Sequence, residues 1–164
     1  MPMIDLTLPE DALDETARHE LLDQLTRTLL KWEGVGESNP MGDAVTWGVI
    51  HPVAPGDWHV AHDKAPADQP RYRVLVTVPE GALDQPKKEG LVAELTRKVL
   101  EAEVSPLDLP NALRVWVFIH EVPDGHWGGA GRIFRLRDIA KMVMGDAEAV
   151  LKETDERLRQ PVEA

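Results

Sequence analysis

Pro2 stands directly behind Met1, and its type and position point to chemistry more directly than those of any other residue in the sequence. Removal of Met1, which is expected when a small residue follows it, would expose Pro2 as a free secondary amine. A terminal amine titrates near neutral pH, and burial lowers its pKa because burial disfavours the cation. Such an amine can take the acidic C–H proton next to a carbonyl group and return it to a different carbon. That proton transfer is keto–enol tautomerisation, with Pro2 as the general base.

The composition narrows the class of protein. The chain has 164 residues, which allows one domain with a real core, and 18 Lys and Arg face 29 Asp and Glu, for a net charge of −11. This charge repels phosphate backbones and anionic membrane surfaces, so we expect no nucleic-acid partner and no membrane partner. There is no cysteine, so thiolate nucleophiles and disulfides are excluded. The first apolar run is too short for a signal or membrane segment, and we expect a cytoplasmic protein.

The sequence contains one unit twice. Residues 8–33 align with residues 78–103 at a shift of 70, and eleven of these 26 positions are identical. The match resumes at a shift of 69, where residues 47–58 align with residues 116–127. This second stretch keeps two tryptophans, a histidine and a glycine in register, as the pairs Trp47/Trp116, Trp58/Trp127, His51/His120 and Gly56/Gly125. Similarity of this extent indicates an internal duplication.

Each unit has the pattern strand, helix, strand. Alternating apolar residues predict a first strand near 4–8 and 74–78, and leucines spaced by four predict an amphipathic helix after each. A second strand is predicted at about 44–51 and 113–121, followed by a small hairpin. We therefore predict an α+β fold, in which two β-α-β units with parallel pairing form a four-stranded sheet that carries both helices on one face. The other face needs cover, which predicts oligomerisation.

The same patterns predict where each unit of the chain begins and ends. We predict one compact domain made of a first unit at 1–62, a polar linker at 63–71, a second unit at 72–135 and a C-terminal helix with a polar tail at 136–164. Apolar residues at helical spacing mark the start of that last helix, and the sequence then becomes fully polar. No set of His, Asp or Glu residues has the spacing of a metal site.

Both units resemble the tautomerase superfamily, typified by 4-oxalocrotonate tautomerase. The resemblance covers roughly residues 2–62 and 72–135, and its most specific pieces are Pro2 and a glutamate followed by a Gly-His-aromatic-Gly run, here Glu121, Gly125, His126, Trp127 and Gly128. Long members of the family fuse two units and assemble as trimers, so the resemblance implies a homotrimer. It also implies an activity that needs no cofactor.

The resemblance implies roles for single residues as well. Pro2 corresponds to the family's general base, which works in a pocket that the partner unit completes. Trp127 corresponds to the aromatic residue that forms a wall of that pocket against the proline. His126 on the same loop could bind a carboxylate when protonated, although its position on a loop favours an ordinary surface histidine. The second unit has Tyr72 in mid-chain where the first has Pro2, so we expect one working site per chain.

The chain also departs from the family. Ala12 and Ala82 replace one substrate-binding arginine, and Trp47 and Trp116 align with the second. These losses argue against a dicarboxylate substrate, and the aromatic residues suggest a flatter, less charged one. We expect Arg114, on the face of Trp116 two residues before it, to bind substrate in their place, together with Trp116, Trp127, His126 and Arg132.

We therefore predict a tautomerase that interconverts the enol and keto forms of a small 2-keto acid, aryl-substituted acids included. Two alternatives stay open. Hydration, dehalogenation or decarboxylation from the same proline would need a water-activating carboxylate near Pro2. A cytokine-like binding trimer without enzymatic activity would fit a chain that retains Met1, because an amide nitrogen at Pro2 cannot act as a base.

Overall fold

A computed structural model describes residues 2–36, 38–145 and 148–159 of the chain. Its strands are β1 (Met3–Pro9), β2 (Trp47–Val53), β3 (His59–Val60), β4 (Asp63–Lys64), β5 (Tyr72–Pro79), β6 (Val115–Val122), β7 (Trp127–Gly129) and β8 (Arg132–Phe134). Its helices are α1 (Glu15–Glu33), α2 (Pro40–Val45), α3 (Gln85–Ala102), α4 (Leu109–Ala112), α5 (Leu136–Met144) and α6 (Glu148–Leu158).

The main sheet has the strand order β2-β1-β5-β6. β1 pairs with β2 and β5 pairs with β6 in parallel, while β1 and β5 meet antiparallel at the centre. This arrangement relates the two β-α-β units by a pseudo-twofold axis between β1 and β5, and it confirms the predicted four-stranded α+β fold. Because the central pairing is antiparallel, the start of β1 and the start of β5 lie at opposite ends of the sheet.

The two long helices cover one face of the sheet. α1 begins at the side-chain cap of Asp14, which accepts from the amide of Ala17, and α3 begins at the equivalent cap of Asp84. Their apolar stripes pack on the alternate residues of β1 and β5 that point toward them, and all of these residues are buried. The core is formed mainly by Ile4, Leu6, Leu8, Val74, Val76, Val78, Leu21, Leu25, Leu29, Leu91, Leu95 and Val99.

The other face of the sheet carries large apolar side chains without cover from this chain's helices. Trp47 is 63% exposed, Trp116 64% and Phe118 47%. The rings of Trp116 and Phe118 meet edge to face, with their centroids 6.3 Å apart. On the same face the imidazole of His51 lies 2.6 Å from the carboxylate of Asp5. An apolar face of this extent is typical of an interface.

The sequence prediction was incomplete in three places. The second strands begin later than predicted, because the capped, proline-started helices α2 and α4 occupy the residues just before them. The hairpin of β3 and β4 uses Asp63 and Lys64, which the prediction assigned to the linker. The C-terminal segment is two helices instead of one, because α5 ends at Gly145, whose φ is 83°. Residues 160–164 of the predicted polar tail lie outside the described residues.

None of the described helices is long and apolar enough to cross a membrane. In the same part of the chain, no group of three His, Asp or Glu side chains is arranged to hold a metal ion.

Candidate active site

A cavity of about 200 Å³ opens at the end of the sheet where β1 begins, and the buried residue Pro2 forms part of its wall. The amide of Trp47 donates to the carbonyl of Pro2 at 3.1 Å, which fixes the proline beside the start of β2. The rest of the wall comes from the end of α1, α2, the end of β5, the start of α3 and the two C-terminal helices, and includes Leu30, Glu33, Val35, Val45, Pro79, Lys87, Leu136, Ile139, Ala140, Val143, Met144 and Glu153.

The local sequence shapes the wall on the side of α1. The helix ends at Gly34, whose φ of 82° lies in the left-handed region that glycine adopts without strain. The turn that follows brings Val35 back against α2, where a Cβ on Gly42 would come within 2.8 Å of the Val35 side chain. α2 itself is fixed by Asn39, whose side-chain oxygen accepts from the amide of Gly42 and whose side-chain nitrogen donates to the carbonyl of Val143 in α5.

Glu33 is the last residue of α1 and is half-buried in this wall. Burial raises its pKa from 4.5 to about 7, and the positive charges of the chain's amino terminus and Lys87 oppose that rise. The carbonyls at the end of a helix also disfavour a negative charge. Among the described residues, no ion pair or side-chain hydrogen bond of Glu33 is found. Near neutral pH this carboxyl group is therefore protonated in an appreciable fraction of molecules.

The cavity contains few cations. Lys87 is the one basic side chain among the described residues that line it, and Glu33 and Glu153 are its acidic ones. The lining includes no arginine in that part of the chain, consistent with the losses noted at Ala12 and Ala82. A substrate with two carboxylates would therefore find one lysine and the amino terminus as its positive partners.

The C-terminal helices form one side of the cavity. α5 begins where the carboxylate of Asp124 accepts from the amide of Leu136 at 2.8 Å and from the guanidinium of Arg135 at 2.9 Å. An ion pair between Arg137 and Asp155 joins α5 to α6. These contacts anchor both helices to the loop after β6, and the apolar side of α5 faces the Pro2 cavity.

Trp127 and His126 do not line the Pro2 cavity in the single chain. They line a separate open cleft of about 530 Å³ together with Met3 and Trp47, on the other side of the start of β1. Val45 lines both spaces, so the cleft and the cavity are neighbours. These two predicted residues thus lie at the same end of the sheet as Pro2.

Trp116 and Arg132 lie elsewhere. Trp116 lies on the open face of the sheet, at the end opposite Pro2, where it lines a second cleft with Trp58 and Tyr72. Arg132 is exposed on the β7–β8 hairpin, with its guanidinium 4.5 Å from the centre of the Phe134 ring. Neither residue reaches the Pro2 cavity within one chain.

Arg114 is bound by the protein itself, which contradicts the geometry expected of a substrate-binding arginine. Its side chain is 6% exposed, and its guanidinium donates to both oxygens of Glu103 at 2.7 and 2.5 Å. It also donates to the carbonyl of Pro70 and to the side chains of Ser105 and Asn111. Charge and hydrogen bonding from Glu103 raise the pKa of Arg114. The pairing is structural because it neutralises a carboxylate at the end of α3.

Sequence reasoning missed Glu33, because a glutamate at the polar end of a helix looks like an ordinary surface residue. The repeat nevertheless contained a signal. Glu33 aligns with Glu103 at the shift of 70, while the partner of Glu103, Arg114, aligns with Val45 at the shift of 69. The carboxylate is present in both units, but its arginine is present in only one.

No protein-family model matches the chain, and no curated protein sequence matches it. Solved structures do match. The structure of Pt0534 inactivated by 2-oxo-3-pentynoate is similar with a TM-score of 0.65 at 19% identity, over 80% of this chain and 94% of that one. A fused 4-OT asymmetric trimer is similar with a TM-score of 0.64 at 14% identity, over 80% and 94%. N1, a member of the cis-3-chloroacrylic acid dehalogenase family, is similar with a TM-score of 0.67 at 14% identity, over 94% and 99%.

These similarities confirm the resemblance drawn from the sequence at the level of the fold. The chain has the fold of the tautomerase superfamily, in the form that joins two β-α-β units in one chain.

Proposed function

We propose that this protein is a cofactor-independent tautomerase that interconverts the enol and keto forms of a small 2-keto acid, aryl-substituted acids included, with Pro2 as the general base after removal of Met1. The observation that carries the proposal is the position of Pro2 as a buried residue in the wall of a mainly apolar cavity. The superfamily fold supports the same reading, because related structures include fused 4-OT.

The cavity suits proton transfer at carbon. In the keto-to-enol direction the neutral Pro2 nitrogen takes a proton from the carbon next to the carbonyl, the C–H electron pair forms the C=C bond, and the carbonyl oxygen gains a proton to become the enol hydroxyl. Apolar walls hold the amine neutral because they disfavour its cation. General base catalysis of this kind contributes about 10²–10⁴-fold to a rate.

We also propose that the protein is a homotrimer. The exposed Trp47, Trp116 and Phe118 on the open face of the sheet need cover, and a fused 4-OT of the same fold is a trimer. In such an assembly a neighbouring chain could bring further residues to each Pro2 cavity, and Trp116, Trp127, His126 and Arg132 stay candidates for binding substrate there. Sedimentation equilibrium should give three times the mass of the chain, and Trp116→Ala should lower it.

The activity is tested by following the ketonisation of phenylenolpyruvate in the ultraviolet, with intact mass measured on the same sample. We expect protein that lacks Met1 to be active and Pro2→Ala to be slower by at least 10²-fold. Protein that lacks Met1 but is no faster than Pro2→Ala would contradict the proposal.

Labelling gives a second test that does not depend on turnover. Pt0534 is inactivated by 2-oxo-3-pentynoate, and an unprotonated Pro2 amine should add to the activated triple bond of this reagent. The new N–C bond and the transferred proton keep every atom, so the protein should gain the mass of one reagent per chain, located on Pro2. Pro2→Ala should gain less under the same conditions, since a primary alanine amine lacks the fixed ring.

A hydratase, dehalogenase or decarboxylase is the second candidate, and one observation favours it. Such reactions need a carboxylate that can activate water near Pro2, and Glu33 lines the same cavity. Turnover of a 3-haloacrylate with release of halide, at a rate above that of phenylenolpyruvate ketonisation, would favour this candidate over the tautomerase.

A further inference from the structure

If Pro2 is the base, the substrate's carbonyl oxygen needs a proton donor, and Glu33 lies in the wall of the same cavity as Pro2. Both residues line a cavity of about 200 Å³, so a small substrate that places its α-carbon at the Pro2 nitrogen has little room to keep its oxygen away from the remaining wall. That wall is apolar except for a few groups. Among the described lining residues, the side chains that can offer a proton at neutral pH are Glu33, Lys87, Thr46 and Thr154.

The second unit shows what the fold does with the same glutamate when it has no chemical task. Glu103, the counterpart of Glu33, is 11% exposed and is bound by both terminal nitrogens of Arg114. Tyr72, the counterpart of Pro2, is 1% exposed, and the charges of Glu103 and Arg114 both act on its pKa. The fold can therefore neutralise a carboxylate at this position with one arginine.

At the Pro2 end that arginine is absent. Val45 occupies the position equivalent to Arg114. Its apolar side chain lines the cavity and cannot neutralise a carboxylate. The half-buried Glu33 is left without an ion pair among the described residues. Retaining a carboxyl group without its structural partner destabilises the fold, and such groups concentrate at functional sites.

We propose that Glu33 is the second catalytic residue of this site: its carboxylic acid donates a proton to the substrate's carbonyl oxygen while Pro2 removes the proton from carbon. This inference rests on the proposed tautomerase function. It gives the site a donor where Ala82, which lines the cavity, stands in place of a family arginine. A neutral acid also differs from an arginine in what it selects, because it favours a carbonyl oxygen over a carboxylate.

The proton balance closes within the site. In the keto-to-enol direction the Glu33 O–H proton passes to the carbonyl oxygen and the C–H proton passes to the Pro2 nitrogen, leaving a carboxylate and an ammonium group. One proton then returns from Pro2 to Glu33, directly or through water, and restores both groups. Ketonisation runs the same steps in reverse and starts from the carboxylate and the ammonium.

The charged groups around Glu33 favour this pairing. The chain's amino terminus and Lys87 at the start of α3 act on Glu33 as positive charges, and Glu153 on α6 is the other acidic residue of the described lining. α2 and α5 present no charged side chain to the cavity among their described residues. The pKa of Glu33 of about 7 lets it both hold and release a proton near neutral pH.

The test compares Glu33→Gln with Pro2→Ala in the phenylenolpyruvate assay across pH 5–9, with Glu20→Gln as the control. Glu20 is exposed on the same helix, so its replacement makes the same charge change away from the cavity. We expect Glu33→Gln to lower kcat by about 10²-fold with KM changed less than about threefold. A plot of kcat against pH should be bell-shaped for wild-type protein, and Glu33→Gln should keep only one of its two limbs. Glu33→Asp should recover part of the rate.

Each outcome separates the two proposals. If Pro2→Ala is slow but Glu33→Gln stays within about threefold of wild type, the role of Glu33 is wrong and the tautomerase proposal stands. If Glu33→Gln raises KM and keeps both limbs, Glu33 binds substrate only, and its role as an acid is wrong. If Pro2→Ala matches wild type, the proposed function itself is wrong. A thermal midpoint of Glu33→Gln at or above that of wild type would show that lost activity is not lost folding.

Discussion

The two ends of the sheet differ although the same unit builds both of them. At the Pro2 end there is a cavity with the half-buried carboxyl group of Glu33 in its wall. No arginine is found among the described residues that line this cavity. At the Tyr72 end a buried phenol stands in place of the amine and Arg114 binds the equivalent carboxylate. The comparison indicates that one copy has been optimised for stability, while the other keeps a less stable arrangement that is suited to chemistry.

The Tyr72 end also contains buried polar atoms whose hydrogen bonding is incomplete among the described residues. The hydroxyl of Tyr72 is buried and has no hydrogen-bond partner among the described residues, and the Nε of Arg114 has none there either. Burial raises the pKa of Tyr72, with the charge of Glu103 adding to the rise and that of Arg114 opposing it. This phenol therefore stays neutral at any ordinary pH and cannot take over the role of an amine. The difference between the two ends is thus a difference in chemistry as well as in packing.

The largest effect is expected from Arg114→Met. It leaves Glu103 as a buried charge without a partner, which should lower the free energy of unfolding by about 3–5 kcal/mol. Urea unfolding at neutral pH measures the change. Val45→Met makes the corresponding change at the Pro2 end and should shift stability by less than about 1 kcal/mol, because no charge is uncovered. Equal losses in the two variants would mean that the ends do not differ as described.

A smaller effect is expected from Gly90→Ala in α3. A Cβ at this position would lie 2.1 Å from the ring of Trp32, which packs across from α1 and donates its indole N–H to Glu94 at 2.9 Å. Trp32 precedes Glu33, so the contact also fixes the helix end that carries the carboxyl group. Overpacking here should destabilise the protein by about 1–3 kcal/mol, measured by thermal unfolding.

The matched control for that variant is Glu20→Ala, because Glu20 is the counterpart of Gly90 at the shift of 70 and is exposed on α1. Its stability should stay within about 0.5 kcal/mol of wild type. A Gly90→Ala protein as stable as this control would show that the Trp32 contact is easily rearranged.

The next effect concerns the pH dependence of stability. Because the pKa of Glu33 rises to about 7 in the folded protein, the folded state holds a proton that the unfolded state releases between pH 4.5 and 7. Wild-type stability should therefore fall across this range. The full shift corresponds to about 3 kcal/mol, and solvent screening of a half-buried group reduces the expected loss to about 1–2 kcal/mol.

Glu33→Gln removes this loss, so the variant should gain stability over wild type at pH 8 and gain little at pH 5. Urea unfolding at the two pH values measures the difference, and Glu20→Gln should show no such gain. A gain of the same size at both pH values would mean that the benefit comes from packing and not from the proton.

The smallest effect is expected from Tyr72→Phe. Removing a buried hydroxyl that has no partner should leave stability unchanged or raise it by up to about 1 kcal/mol. Chemical denaturation would detect the change, and activity should be the same as in wild type. A loss above about 1 kcal/mol would reveal a hydrogen bond of Tyr72 in the assembled protein.

The fold could be predicted because its elements have clear periods. Ile4, Leu6 and Leu8 all point into the core and alternate with Asp5 and Thr7 on the other face, and the leucines of α1 and α3 recur at every fourth residue. The small helices α2 and α4 were missed because each is only one or two turns long, and the end of α2 overlaps the stretch whose apolar residues suggested the strand. Their Asn39 and Asp108 caps, each followed closely by a proline, were the available signal.

The candidate site was predicted only in part. Pro2 could be predicted because the chemistry of an amino terminus does not depend on the fold. The role given to Arg114 could not be tested by strand alternation alone, since the partner that binds it, Glu103, comes from a different element. The importance of Glu33 depends on the absence of a partner, and a local pattern does not reveal what is absent. Only the comparison of the two copies could have done so.

The Pro2 cavity joins parts of the chain that are far apart in sequence. Its wall includes Pro2 near the beginning and Glu153 and Thr154 in α6. During synthesis on the ribosome the first unit emerges early, but these walls can close only after α5 and α6 have emerged. The chain's amino terminus is therefore accessible before the cavity surrounds it. The order of synthesis thus allows Met1 to be removed first, as the proposed function requires, and the cavity to be completed afterwards.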